Sequence, residues 1–212
     1  MSEDPRIKAL QEWNRLTAKN TEDAIVSSAF DAMLNSSEPL GQFSVWLLAA
    51  TAAIASFLIA NAEKLIPFLS NQGFLVCGGF LCASCMCGVI AKLFAVQCKI
   101  ALETGRAVRK NMAEQFAIYE KVEDQINQTA DSLGVNLTTG VALDRIMKEY
   151  HSVLPKWSRW FSQRHLAKHK GSPQVGFILP VRCLHAQSLF VLLQATSVIG
   201  FLASGFVYAA AI

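Results

Sequence analysis

Residues 74–91 read FLVCGGFLCASCMCGVIA, a run with no charge and no proline. Hydrocarbon about 30 Å thick needs roughly 20 consecutive apolar residues in a helix to cross it. The run sits inside a longer charge-free stretch between Lys64 and Lys92. A second such stretch lies between Glu38 and Glu63, with its apolar part at 43–60, and a third extends from Cys183 to Ile212, apolar over 188–211. Three stretches of this kind define an all-α integral membrane protein with three transmembrane helices. The connection at 61–73, marked by Pro67 and Gly73, is short, so the first two spans form an antiparallel helical hairpin; the third is a C-terminal span. The expected organisation is N-terminal helices over 1–41, the hairpin over 42–97, a helical cytosolic region over 98–187 and the last span over 188–212.

Charge gives the expected orientation. Residues 98–187 carry thirteen basic side chains against eight acidic ones, whereas 1–41 carry four against seven and the 61–73 connection only Glu63 and Lys64. Lys and Arg accumulate on cytoplasmic flanks, so 98–187 is expected inside, with Lys92, Lys99 and Arg182 near the boundary. Two spans then return the N-terminus to the cytoplasm, and the C-terminus lies outside. The first 40 or so residues lack the basic-then-apolar pattern of a cleaved leader. The sequons at Asn35, Asn127 and Asn136 all fall on the inner side, where no glycosylation is expected.

The N-terminal region reads as two helices. One starts at Pro5 and carries Ile7, Leu10, Trp13 and Leu16; the other, 22–34, is capped by Thr21 and has Ile25, Ala29 and Met33 as its stripe, with Val26 and Phe30 beside it. Its acidic balance favours packing on the protein over anionic lipid. Beyond the second span nothing stops the helix. Met112, Tyr119, Ile126 and Leu133 recur every seven residues, with Val108, Phe116 and Val122 between them. Such a seam packs against a partner, as in a coiled coil, or within its own chain; Met112, Tyr119 and Ile126 are the expected contact of a homo-oligomer. Gly134 ends the helix, and a shorter one is expected from Thr138 or Thr139 to Leu154, stopped by Pro155.

Residues 156–170, KWSRWFSQRHLAKHK, hold Lys156, Arg159, Arg164, Lys168 and Lys170 without an acid, interleaved with Trp157, Trp160 and Phe161. Three readings fit. Aromatic and basic residues together anchor a chain at the membrane surface; the same groups bind a phosphate-bearing ligand by cation contact and stacking; or they face a protein partner. Surface anchoring is the leading reading, and nucleic acid is the least expected ligand. His165 and His169 share a metal-ligand spacing, but the surrounding cations repel a divalent ion. In 74–91, Cys77, Cys82, Cys85 and Cys87 point in divergent helical directions and suit packing rather than a tetrahedral site. Cys98 and Cys183 are expected to stay free in a reducing cytosol.

No GxSxG, P-loop, GxGxxG or HExxH motif occurs, so no catalytic residue, metal or cofactor is expected, and the reading is that of a protein that is not an enzyme. The apolar runs contain no Asp or Glu, against the habit of proton-coupled transporters. Gln194, Thr196 and Ser197 place polar groups inside the third span, and Gln194, Ser197 and Ser204 are the expected lining of any pore. The architecture, a helical hairpin leading into a long cytosolic helix, resembles small bacterial membrane effectors; it implies a bacterial inner membrane, with the bilayer as first partner. Two function classes follow: a channel-like oligomeric effector whose cytosolic region senses a protein partner or anionic ligand and alters permeability, or a membrane-anchored scaffold, accessory or immunity-type protein that binds a partner.

Overall fold

The computed structural model describes residues 5–135, 140–142, 145–146, 148–149, 155, 160, 164 and 174–210. Its long elements are all helices: α1 (Pro5–Asn35), α2 (Ser37–Ala60), α3 (Ala62–Ser132) and α4 (Val175–Ala210). Three helical runs are long and apolar enough to cross a membrane, within Arg6–Ala60, Ala62–Ser132 and Val175–Ala210. The chain divides into two compact units, one of Met1–Leu102 with Gly176–Ile212 and one of Glu103–Val175.

The first unit is a bundle of α2, the first part of α3, and α4. On α2, Gly41 lies against Ala95 and Leu48 against Gly88, and on α4, Gln194 lies against Gly88 and Tyr208 against Gly73, so α3 runs antiparallel to both. Ser37 pairs with Gln187 and Ser44 with Gln194, so α2 and α4 run parallel. Lipid tails offer no hydrophobic drive for helices to associate, and close packing through small side chains takes its place. Most of the buried positions are of that kind: Ser37, Gly41, Ser44 and Thr51 on α2, and Cys77, Ser84, Gly88, Ala91, Ala95 and Cys98 on α3, beside the larger Leu58 and Leu81. With Leu81 between Cys77 and Ser84, those on α3 recur three and four residues apart, and those on α2 three, four and seven apart, the spacing of an inward stripe. One end of the bundle closes on Leu34, Cys98, Phe177, Cys183 and Leu184, where Phe30 stacks on Phe177 with ring centroids 5.5 Å apart.

The structure corrects several expectations. α1 is one helix and not two: Thr21 caps nothing, because its Oγ1 donates back to the Thr17 carbonyl at 2.9 Å. The packed side of α1 is Phe30 and Leu34, while Ile25, Ala29 and Met33 are exposed. The connection at 61–73 is helical for most of its length. α2 ends at Asn61, whose Nδ2 donates to the Phe57 carbonyl at 2.9 Å. The chain enters helix again at Ala62 and breaks at Ser70, with φ 59° and ψ 162°. That backbone region is essentially glycine's. Ser70 gains a role in return: its Oγ accepts the Gly73 N–H at 3.2 Å and caps the helix that follows. Cys98 and Cys183 are free thiols, as expected, but neither is open to solvent. Both are buried, and the Cys98 thiol donates to the Pro180 carbonyl at 3.8 Å.

In the second unit α3 ends as Gly134 requires. Gly134 has φ 68°, the Val135 N–H reaches the Ala130 carbonyl at 3.0 Å, and the Gly134 N–H reaches the Asp131 carbonyl at 3.2 Å. These are the paired bonds of a Schellman close, in which glycine occupies the left-handed position. Of the short helix expected from Thr138 or Thr139 to Leu154, Gly140, Val141 and Ala142 are described and are not helical, so the helix does not begin where expected; Arg145, Ile146, Lys148 and Glu149 are described and helical, and its remaining residues lie outside the described part.

Candidate functional site

Two glutamines of α4 close on two serines of α2 by the same pattern. At Gln187, the Ser37 hydroxyl donates to Oε1 at 2.6 Å while Nε2 donates to the Ser37 carbonyl at 2.7 Å. At Gln194, the Ser44 hydroxyl donates to Oε1 at 2.7 Å and Nε2 donates to the Ser44 carbonyl at 3.1 Å. Both glutamines are fully buried. A third polar contact follows one heptad along α2, where Thr51 Oγ1 and Ser84 Oγ lie 3.2 Å apart and Ser84 Oγ donates to the Gln194 carbonyl at 3.4 Å. Ser37, Ser44 and Thr51 are seven residues apart, and so are Gln187 and Gln194.

The geometry requires a residue without a Cβ at Gly88. A Cβ there would stand 2.6 Å from Gln194 Nε2 and 3.2 Å from Leu48 Cδ1. Glycine leaves room for the amide to lie between α2 and α3. Unpaired amides in a medium without water cost several kcal/mol each, so each clamp fixes both the rotation and the level of α4 against α2.

Gln194 finds its donor and acceptor partners inside its own chain, and it faces α2. Ser197 and Ser204 turn back on their own helix, their hydroxyls donating to the Leu193 carbonyl at 2.8 Å and the Gly200 carbonyl at 2.7 Å. Sequence reading singled out Gln194 and passed over Gln187, Ser37 and Ser44. Their signal was available as a seven-residue recurrence of polar residues inside apolar runs.

Met112 and Tyr119 line one open cleft of about 410 Å³, together with Asn111, Gln115, Phe116, Val141 and Ile146. Ile126 lines another of about 370 Å³, with Val122, Ala130, Leu133 and Val135. The seven-residue seam is therefore brought to one side of α3, and Val141 and Ile146 cover part of it.

Of the basic and aromatic segment, Trp160 and Arg164 are described. The Arg164 guanidinium lies 5.2 Å from the centroid of the exposed Trp160 ring, a cation–π pair worth about 0.5–1 kcal/mol at an exposed site. Lys156, Trp157, Arg159, Phe161, Lys168 and Lys170, and also His165 and His169, lie outside the described residues. The cysteines of α3 disperse: Cys77 is buried, Cys82 exposed, and Cys85 and Cys87 in between. Among the described residues no group of three or more His, Cys, Asp or Glu is placed to hold a metal ion.

No protein-family model matches this chain, and no curated protein or solved structure does either.

Proposed function

We propose that this chain is a membrane-anchored scaffold or accessory subunit that acts by binding and not by catalysis. The observation that supports it is the closure of Gln187 and Gln194 on Ser37 and Ser44. A bundle whose buried amides are paired within one chain is an anchor complete in itself and leaves no polar face that needs water. The region carrying the interaction is then Glu103–Val175, with Trp160 and Arg164 as part of a surface for anionic headgroups or a phosphate-bearing ligand. The same reading places the N-terminus and this region in the cytoplasm, the C-terminus outside, and the protein in a bacterial inner membrane.

Reconstituted into liposomes, the protein is expected to give no ion leak above that of protein-free vesicles, and its expression is expected to leave the membrane potential of the host intact. Leak that rises with protein density would overturn the scaffold and favour the second reading, a channel-like oligomeric effector. That alternative draws on the seam at Met112, Tyr119 and Ile126, which an assembly would cover.

The orientation has its own check. A Ser132→Cys variant, in a background with the six native cysteines replaced, should resist membrane-impermeant thiol reagents in intact cells and react after the membrane is opened. Labelling in intact cells would reverse the topology.

A further inference from the structure

We infer, on the reading of the chain as membrane-anchored, that residues 62–69 form an interfacial helix, seated in the headgroup layer at the α2–α3 turn with the Phe68 ring against the upper acyl chains. Its sequence is AEKLIPFL. The piece is helical, and the break at Ser70 sets it apart from the span that follows. At about 100° per residue, Phe68, Leu65, Leu69 and Ile66 fall within an arc of about 160°, while Glu63, Pro67 and Lys64 take the opposite side. That is the pattern of a helix lying between water and acyl chains. Leu65, Ile66 and Leu69 are half-buried within the chain, and Phe68 is left exposed to 67%.

Contacts inside the bundle set the level of this piece. Gly41 stands beside Ala95 and Leu48 beside Gly88, so each step along α2 is matched by a step back along α3. Carried on, that register brings Ala60 level with about Val76, and Ser70 stands about six residues, or roughly 9 Å, beyond it. Neighbouring helix axes lie about 8–10 Å apart, so the diagonal between the two points is about 12–13 Å. Eight helical residues cover about 12 Å. The piece therefore crosses the tip of the hairpin obliquely instead of standing out from it.

Aromatic residues mark the membrane boundary at the same height. Tyr208 of α4 lies against Gly73, between the levels of Val76 and Ser70 that 62–69 joins. Trp46, exposed to 78%, comes level with about Ile90, which is about 17 residues or roughly 26 Å from Gly73. Tyr and Trp gather at the two edges of hydrocarbon about 30 Å thick, so 62–69 falls at one edge. The surfaces that lead to it are apolar and open: Phe57 and Ile59 on α2 and Leu75 on α3 are exposed. The lipid that covers them is the nearest cover for Phe68, and a ring held there fixes the depth at which the hairpin sits.

The test uses the full chain in liposomes of phosphatidylcholine and phosphatidylglycerol, with the fluorescent residue dansylalanine replacing Phe68 and, in parallel samples, Lys64 or the exposed Met86 in the middle of the span. At position 68 the emission should be lost mainly to lipid carrying a nitroxide near the headgroup. Aqueous iodide should dominate at 64, and a nitroxide near the chain end at 86. Iodide dominating at 68 while the chain-end nitroxide dominates at 86 would overturn the proposal and leave the membrane anchor standing; iodide dominating at 86 as well would overturn both. Protection of position 68 from all three quenchers would mean that protein covers Phe68, and dominance of the chain-end nitroxide would place it in the hydrocarbon; each result overturns the interfacial seat.

Discussion

A Gly88→Ala substitution is expected to lower stability by about 1–3 kcal/mol, although it adds one methyl group and improves intrinsic helix propensity. The new Cβ would lie 2.6 Å from Gln194 Nε2 and 3.0 Å from its Cδ. The glutamine must swing away and gives up its bonds to the Ser44 hydroxyl and carbonyl. Hydrogen bonds between membrane helices average about 0.6 kcal/mol and reach about 1.7, so the loss of two accounts for the range. Leu48 Cδ1, 3.2 Å from the same Cβ, closes the obvious escape. Gly78 provides the control: nothing lies within 4 Å of a Cβ built there, so Gly78→Ala should cost little or nothing.

The mechanism is separable from simple crowding. If Gly88 exists to seat the amide, Gly88→Ala costs far less in a chain that already carries Gln194→Ala. The two substitutions should be strongly non-additive, as expected of residues in direct contact. Thermal unfolding in detergent micelles, followed by circular dichroism, supplies all four corners of the cycle. Additive losses would mean that Gly88 acts through the backbone and not through the clamp.

Much of this architecture is legible in the chain before any coordinates. Charge-free runs mark the three spans because a charge inside hydrocarbon is costly wherever the helix turns. The close of α3 is equally local: Gly134 is the residue that accepts a left-handed turn, and the bonds from Val135 and Gly134 follow from it. Thr21 shows the limit of local signals. A threonine before an apolar stripe resembles a cap, but here the preceding residues continue the helix, and the hydroxyl bonds back to Thr17. Ser70 shows the converse, since nothing in its neighbours requires a non-glycine residue at φ 59°.

The clamps were half legible for a different reason. Gln194 stands out as a lone amide in an apolar run, and the inference that it needs a partner is sound. Each of its partners, however, lies 150 positions away in sequence. A single polar residue cannot say whether it turns toward water, another copy or its own bundle. Recurrence can. Ser37, Ser44 and Thr51 on one helix and Gln187 and Gln194 on another share a seven-residue interval, and two helices with the same interval can meet at matched levels.

That shared interval makes the largest expected effect a matter of phase. Inserting one alanine between Gln187 and Gln194, for instance after Leu189, turns the rest of α4 by about 100° and advances it by about 1.5 Å. Gln187 can still close on Ser37, or Gln194 on Ser44, but not both. If the Gln194 half is displaced it also loses the seat of Gly200 against Phe80, where a Cβ would meet the ring at 2.7 Å, and that of Tyr208 against Gly73; if the Gln187 half is displaced it loses the packing of Phe177, Cys183 and Leu184. One clamp and these close contacts together should cost roughly 3 kcal/mol or more, given about 1–3 kcal/mol for leaving a buried polar group unpaired and a comparable amount for the packing. Membrane insertion should be unaffected, because the apolar length of α4 only grows. A seven-residue insertion at the same point keeps rotational phase but separates the levels of the two clamps, so it too should fail to engage both. The outcome that would remove the clamp as an organising element is specific. A one-residue insertion that unfolds at the wild-type temperature, while Gln187→Ala and Gln194→Ala are also silent, would show that apolar packing alone holds α4 to α2.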